Sequence, residues 1–298
     1  NTFTGPIQTM NGGTLRIGGS GQLGAGNYTN SITLNLSSTF DYSSSANQIL
    51  GGLLSGTGHV LKNGVSTLIL TGANTYSGAT TISGGTLQLG SGGTGGALST
   101  DSAISIGSGA TFAVNQSDTV TQGTDFSGAA LTGAGGFAKA GSGTTVLNAA
   151  NTYGGNTTIG AGTLIIGGNG SLGLGHYGGA IANSGDFLFS SSSNQTLSGV
   201  VSGSGTITKT NSSTLTLTAY NTFTGGLNIH GGALVATNSI GAGSGTTTVS
   251  GVGSVLRIRN TNVLGGNHNL EYLRTLAATN GGVILVSEGL NRAGNLKL

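Results

Sequence analysis

The sequence predicts an all-β protein, a right-handed single-stranded parallel β-helix of about twelve coils. Three observations carry this expectation. Asn-Thr followed by Tyr or Phe recurs at Asn1, Asn74, Asn151 and Asn221, at spacings of 73, 77 and 70 residues. Around each copy, apolar residues alternate with Thr and Ser, the period of a strand with one buried face. The 298 residues include 61 glycines but only 5% charged residues, one proline and no cysteine. Low charge with a third of the chain apolar argues against disorder. Glycine without a three-residue period excludes collagen and leaves bends between short strands.

The repeat extends beyond its junction. Lys62, Lys139 and Lys209 each stand 12 residues before an Asn. Leu68/Leu70, Thr145/Leu147 and Leu215/Leu217 follow the lysines at fixed offsets, and Ile82, Ile159 and Ile229 follow the asparagines. Leu87, Leu164 and Leu234 complete the set, with Leu15 as the counterpart in the first unit. The chain is therefore read as one body over 1–298, in units 1–73, 74–150, 151–220 and 221–298.

In unit one, strands are expected near 14–17, 31–36, 49–54 and 67–71. Unit two should hold strands near 80–82, 86–89, 103–106, 111–114 and 144–148. Unit three echoes unit one, since Ser-Ser-Ser-Ala-Asn-Gln at Ser43 returns as Ser-Ser-Ser-Ser-Asn-Gln at Ser190. Unit four keeps a strand near 255–258 and drifts after about residue 260. Of 16 charged residues, seven fall in the last 42 positions, among them Arg257, Arg259, Arg274 and Arg292. Terminal repeats of stacked proteins are often atypical, so this region is expected to close the core or to form an assembly interface. Residues 271–278 form the one helix-like run, although 272–276 also suits a strand.

Such short strands form no stable isolated sheet, so they must stack coil on coil. A unit of 70–77 residues suits three coils of roughly 20–25 residues each. Four units then form a rod of roughly 55–60 Å at ~4.8 Å per coil. Right-handedness follows from the usual chirality of parallel connections.

The combined pattern is Gly-x-apolar-x-Lys, a Thr/Leu strand, Asn-Thr-Tyr/Phe-x-Gly, Thr-Ile and Gly-Gly-Thr-Leu. It resembles the autotransporter-associated β-strand repeat, or passenger-associated transport repeat, of Gram-negative type V secretion. The resemblance covers about residues 1–260. It implies a β-helix exported to the cell surface or medium, in which the repeat assists passenger folding and secretion. It does not imply one activity, because such helices carry adhesins, enzymes and stalks alike. The family's C-terminal membrane barrel has no counterpart in these residues, and the start inside a repeat is read as a fragment or processed product.

Chemistry is sparse. The acids are Asp41, Asp101, Asp118, Asp125, Asp186, Glu271 and Glu288. A polysaccharide hydrolase needs paired carboxylates, and Asp118 with Asp125 is the only close acidic pair within the repeats. They are read as solvated loop carboxylates. His59, His176, His230 and His268 share no metal-ligand spacing. No catalytic residue, metal or cofactor is therefore expected. No basic cluster follows a phosphate backbone, and no apolar run is long enough to span a bilayer as a helix.

The repeated positions are read as structural. Lys62, Lys139 and Lys209 should lay their stems on apolar surface and keep their ammonium groups wet. Asn1, Asn74, Asn151 and Asn221 should sit in left-handed bends and bond their own backbone. Phe3, Tyr76, Tyr153 and Phe223 should pack beside them. Threonine arrays such as Thr214, Thr216 and Thr218 recur per unit rather than per coil, so no flat threonine face is expected.

The expected function is a non-catalytic extracellular scaffold that mediates adhesion or self-association. The partners would be a second copy, with head-to-tail contact as one arrangement, or cell-surface glycans or proteins. A stacked filament subunit and a carbohydrate-active enzyme are the alternatives.

Overall fold

A computed structural model describes residues 2–237, 242–259 and 276–287. These residues form 33 strands and two single-turn 3-10 segments, with no α-helix among them. Every strand pair is parallel, and the sheets trace a solenoid of about twelve coils. The first three coils show the plan, with one strand on each of three sides. Ile7–Thr9, Thr14–Ile17 and Asn27–Tyr28 make the first, and Ile32–Leu34, Thr39–Tyr42 and Gln48–Leu50 the second. Leu54–Gly56, His59–Lys62 and Thr67–Leu70 make the third.

The strands form because one face of each is buried. Thr67–Leu70 turns Leu68 and Leu70 inward, and Thr86–Leu89 stacks Leu87 and Leu89 directly on them. Leu70, Leu147 and Leu217 are all fully buried, as their shared repeat position requires. A column of rings fills the middle of the core. Phe126, Phe112, Phe137, Tyr153 and Tyr177 follow one another at centroid distances of 5.6–6.1 Å. Such aromatic pairs contribute beyond their buried area.

The likeness of units one and three reaches single hydrogen bonds. Gln48 Oε1 accepts the Leu23 N–H at 2.7 Å, and Gln195 Oε1 accepts the Leu172 N–H at 2.8 Å. The segments Gly24–Gly26 and Gly173–Gly175 each hold one non-glycine residue with positive φ, Ala25 at 52° and Leu174 at 53°. Gln195 and Gln48 thus tie matching strained bends to the next coil.

Three expectations are corrected. The run 49–54 is two strands, Gln48–Leu50 and Leu54–Gly56, on different sheets with a corner at Gly51 and Gly52 between them. Leu276–Thr279 is a strand paired with Thr247–Ser250, and the rest of the helix-like run lies outside the described residues. The repeat is also longer than three coils. Three coils up one sheet from His59–Lys62 pass Thr80–Ile82 and Ile104–Ile106 and reach Thr132. Gly136–Lys139 lies one sheet further round. The next unit repeats this step. Its sheet carries Gly136–Lys139, Thr157–Ile159, Ile181–Asn183 and Val201–Ser202, and Thr206–Lys209 again falls on the following sheet. Each repeat therefore spans three coils and one side.

Threonine placement also departs from expectation. Thr67, Thr86 and Thr111 stack in successive coils, as do Thr119, Thr144 and Thr163. These ladders run per coil, because strands of one sheet begin at the same level. Gly136 ends the first and Asp186 interrupts the second, so neither makes a continuous flat face.

Candidate functional surface and the buried lysine clamps

The repeated lysines are the largest departure from the sequence reading. Lys62, Lys139 and Lys209 are fully buried, not wet at their tips. Each ends a strand whose alternate residues point inward, so its side chain enters the core. Backbone carbonyls at the corner receive the ammonium. Lys62 Nζ donates to Gly64 O and, at 3.1 Å, to Gly84 O. Lys139 Nζ donates to Gly141 O and to Ala161 O at 3.3 Å. Lys209 Nζ donates to Thr210 O, to Asn211 O at 2.8 Å and to Gly231 O at 3.3 Å. Every clamp joins its own coil to the next.

An aromatic ring one rung below faces two of the ammonium groups. Lys62 Nζ lies 6.0 Å from the Tyr42 centroid and Lys209 Nζ lies 5.7 Å from that of Phe189, within cation–π range. Burial disfavours the charged form and lowers Lys62 and Lys209 to about 8. Lys139 is lowered by the same cause.

The repeated asparagines are also internal. Asn74, Asn151 and Asn221 are buried, and none has positive φ. Their Oδ1 atoms accept the N–H groups of Leu54, Leu131 and Val201, 20 residues earlier, at 2.9, 2.8 and 2.7 Å. Bonds to the local backbone do occur, from Asn74 Nδ2 to Gly72 O and from Asn151 Nδ2 to Ala149 O. The main task is thus to satisfy a donor where the strand ladder is interrupted. Asn1 lies outside the described residues.

Tyr76, Tyr153 and Phe223 are fully buried, whereas Phe3 is 46% exposed, with its ring lying against Gly5. Tyr76 Oη is hydrogen-bonded to Thr80 Oγ1 at 2.6 Å, and Tyr153 Oη to Thr157 Oγ1 at 2.8 Å. The hydroxyl at each inward Thr thus lets a tyrosine, rather than only a phenylalanine, fill the core.

The ionisable groups outside the clamps do not converge. Asp118 is exposed, and Asp125 Oδ2 accepts the Thr121 N–H at 2.7 Å, which closes the bend at 121–126. Asp41 is buried against Arg16 at 2.6 Å and accepts a bond from Ser43, a pairing across coils that sequence spacing concealed. Register alone, Arg16 opposite Asp41 on paired strands, could have revealed it. His59 and His230 are exposed and bond Ala79 N and Ser250 Oγ. Among the described residues, no group of three His, Cys, Asp or Glu side chains could hold a metal.

Two shallow corner grooves of about 350 and 430 Å³ are floored by small residues. The larger holds one carboxylate, Asp186, which accepts a bond from Thr206. Glycoside hydrolysis needs two carboxylates across one bond, and this groove supplies one. No described helix is long and apolar enough to cross a membrane.

Arg257 and Arg259 project from the outer face of Val255–Arg259, both exposed. Leu285 stands beside Arg257 on the paired strand Val283–Ser287, and Val283 stands beside Val255. Arg274 and Arg292 lie outside the described residues.

Residues 60–89, 137–166 and 207–236 match the repeat family described as Passenger-associated-transport-repeat. Each segment contains one lysine clamp, one bridging asparagine and, two residues after that asparagine, a buried ring. The chain is also 36% identical over 279 residues to the adhesin BmaC autotransporter of Brucella suis biovar 1 (strain 1330). That similarity covers 87% of this chain and 8% of the Brucella protein. No solved structure matches.

Proposed function

Because the chain belongs to the autotransporter passengers that carry passenger-associated transport repeats, we propose that it is a non-catalytic scaffold working by adhesion or self-association. Passengers of this class are extracellular or displayed at the cell surface. One observation carries the reading. The repeated polar side chains, Lys62, Lys139, Lys209 and the three asparagines, are turned inward and bonded to corner backbone. The repeat is thus consumed in building the rod, and recognition is left to outer residues that differ between units. The relative's description as an adhesin agrees with such a division. Partners in this reading are cell-surface glycans or proteins, or a second copy through the surface around Arg257 and Arg259.

Beads coated with the purified chain test this. Clumping of the beads, or their retention on cell-surface material, is the expected result. Release of oligosaccharides from a polysaccharide panel by the same preparation would sink the non-catalytic reading.

A further inference from the structure

Two outer patches of this molecule are complementary in both charge and apolar character. The first is on the sheet that contains Thr119–Thr121, Thr144–Leu147, Thr163–Ile166 and Asp186–Phe189. Val146, Ile165 and Leu188 stack in register on its outer face, half-buried, as an aliphatic column three coils long. Asp186 stands on the same strand as Leu188, and Asp118 immediately precedes the first strand; both are exposed. The second patch is the outer face of Val255–Arg259 and Val283–Ser287. Here Val283 and Leu285 are 42% and 45% exposed, flanked by the guanidinium groups of Arg257 and Arg259.

Among the described residues, none of these four charged groups takes part in an ion pair. The only ion pair among the described residues is Arg16 with Asp41. Three rungs separate Asp186–Phe189 from Thr247–Ser250, the strand that leads into Val255–Arg259. That is about 14 Å along the axis at ~4.8 Å per coil. Such a distance exceeds the Debye length of about 8 Å at physiological salt. Opposite charges too far apart to meet within one rod can meet between two.

We propose that the Arg257–Arg259 face of one copy docks on the Asp118–Asp186 face of a second copy, Leu285 and Val283 packing on the Val146–Ile165–Leu188 column. This rests on the self-association branch of the function proposed above and assigns its contact. The two patches differ, so the interface is heterologous. Each associated copy keeps one patch free, and assembly continues into open-ended clusters unless a ring closes.

Charge-swapped chains test the contact by sedimentation velocity at low and high salt. The parent should form clusters at low salt that dissociate at high salt. A chain with Arg257→Asp and Arg259→Asp should associate at least about tenfold more weakly, and so should one with Asp118→Lys and Asp186→Lys. Mixed, the two altered chains should associate again, because each supplies the patch the other needs. Unchanged thermal unfolding of both variants checks that these outward substitutions leave the fold intact. Clustering of the arginine-reversed chain at the parent's level would overturn the contact and leave self-association standing. Failure of the mixture to associate would overturn it too. A parent that stays monomeric at low salt would remove self-association itself, and the contact with it.

Discussion

At the scale of single residues, the lysine clamps dominate the acid–base behaviour of the fold. Lys62 and Lys209 titrate near 8 in the folded chain, against 10.5 when unfolded. Between those values the unfolded chain binds more protons, so stability rises with pH through that window. Tyr76 and Tyr177 act in the opposite sense. Burial raises both to about 12 from 10.0, so their contribution is intact below 10 and is lost as pH climbs towards 12. Denaturant midpoints measured across alkaline pH should therefore peak near about pH 10. A midpoint that falls steadily from neutral pH upward would contradict the buried lysines. Leu217 makes a second test. It is fully buried, and Leu217→Ala should cost about 2–5 kcal/mol in equilibrium unfolding.

Residue identity was legible in the sequence only to the extent that alternation exposes it. Leu70, Leu147 and Leu217 point inward because period-two patterning puts them there. The same patterning places Lys62, Lys139 and Lys209 on the inward register, yet a charge invites the assumption of solvent. What overrides that assumption is the set of corner carbonyls at 64, 84, 141, 161, 211 and 231, which a linear sequence does not display. The bridging role of Asn74 was hidden for a related reason. Its acceptor oxygen serves a donor one coil away, whereas asparagine in a sequence suggests only local bends.

At the scale of elements, corners decide whether strands can stack. Gly185, Gly205, Gly225 and Gly245 sit above one another in consecutive coils. A Cβ on Gly205 would lie 2.1 Å from Gly185 O, and one on Gly225 would lie 2.0 Å from Gly205 O. No side-chain rotation relieves a clash between Cβ and backbone. Gly205→Ala should therefore spread the corner and destabilise the fold, with a lowered unfolding midpoint and faster proteolysis near 205. Gly154→Ala is the control, since a Cβ there meets nothing within 4 Å. Equal behaviour of the two variants would show that the stacked corner does not limit the fold. Sequence counts revealed the abundance of glycine, but only the stack distinguishes the indispensable positions from the open ones.

At the scale of the whole molecule, the solenoid was legible from the repeat, while its phase was not. Unit length alone suggested three coils, because a coil of roughly 20–25 residues divides the unit about three times. The extra side appears only when strands are followed up their sheets, from Lys62 to Lys139 to Lys209. Excision of residues 140–209 tests this phase, since it joins Lys139 to Thr210 at an equivalent junction. The shortened chain should fold as a rod shorter by about 16 Å, three and a third coils at ~4.8 Å each, in small-angle scattering. An unfolded product would mean that the units are not interchangeable.

The step of three coils and one side turns a stack of repeats into a screw thread. Successive lysine clamps occupy three different sheets, so the corresponding outer surfaces face three different directions. In any array built with this step, a feature returns to its original bearing only after three repeats, about ten coils or roughly 48 Å along the axis. A flat target approaching from one side would then touch one repeat in three, and the rod would offer the same spaced contacts from every side on which it lay down.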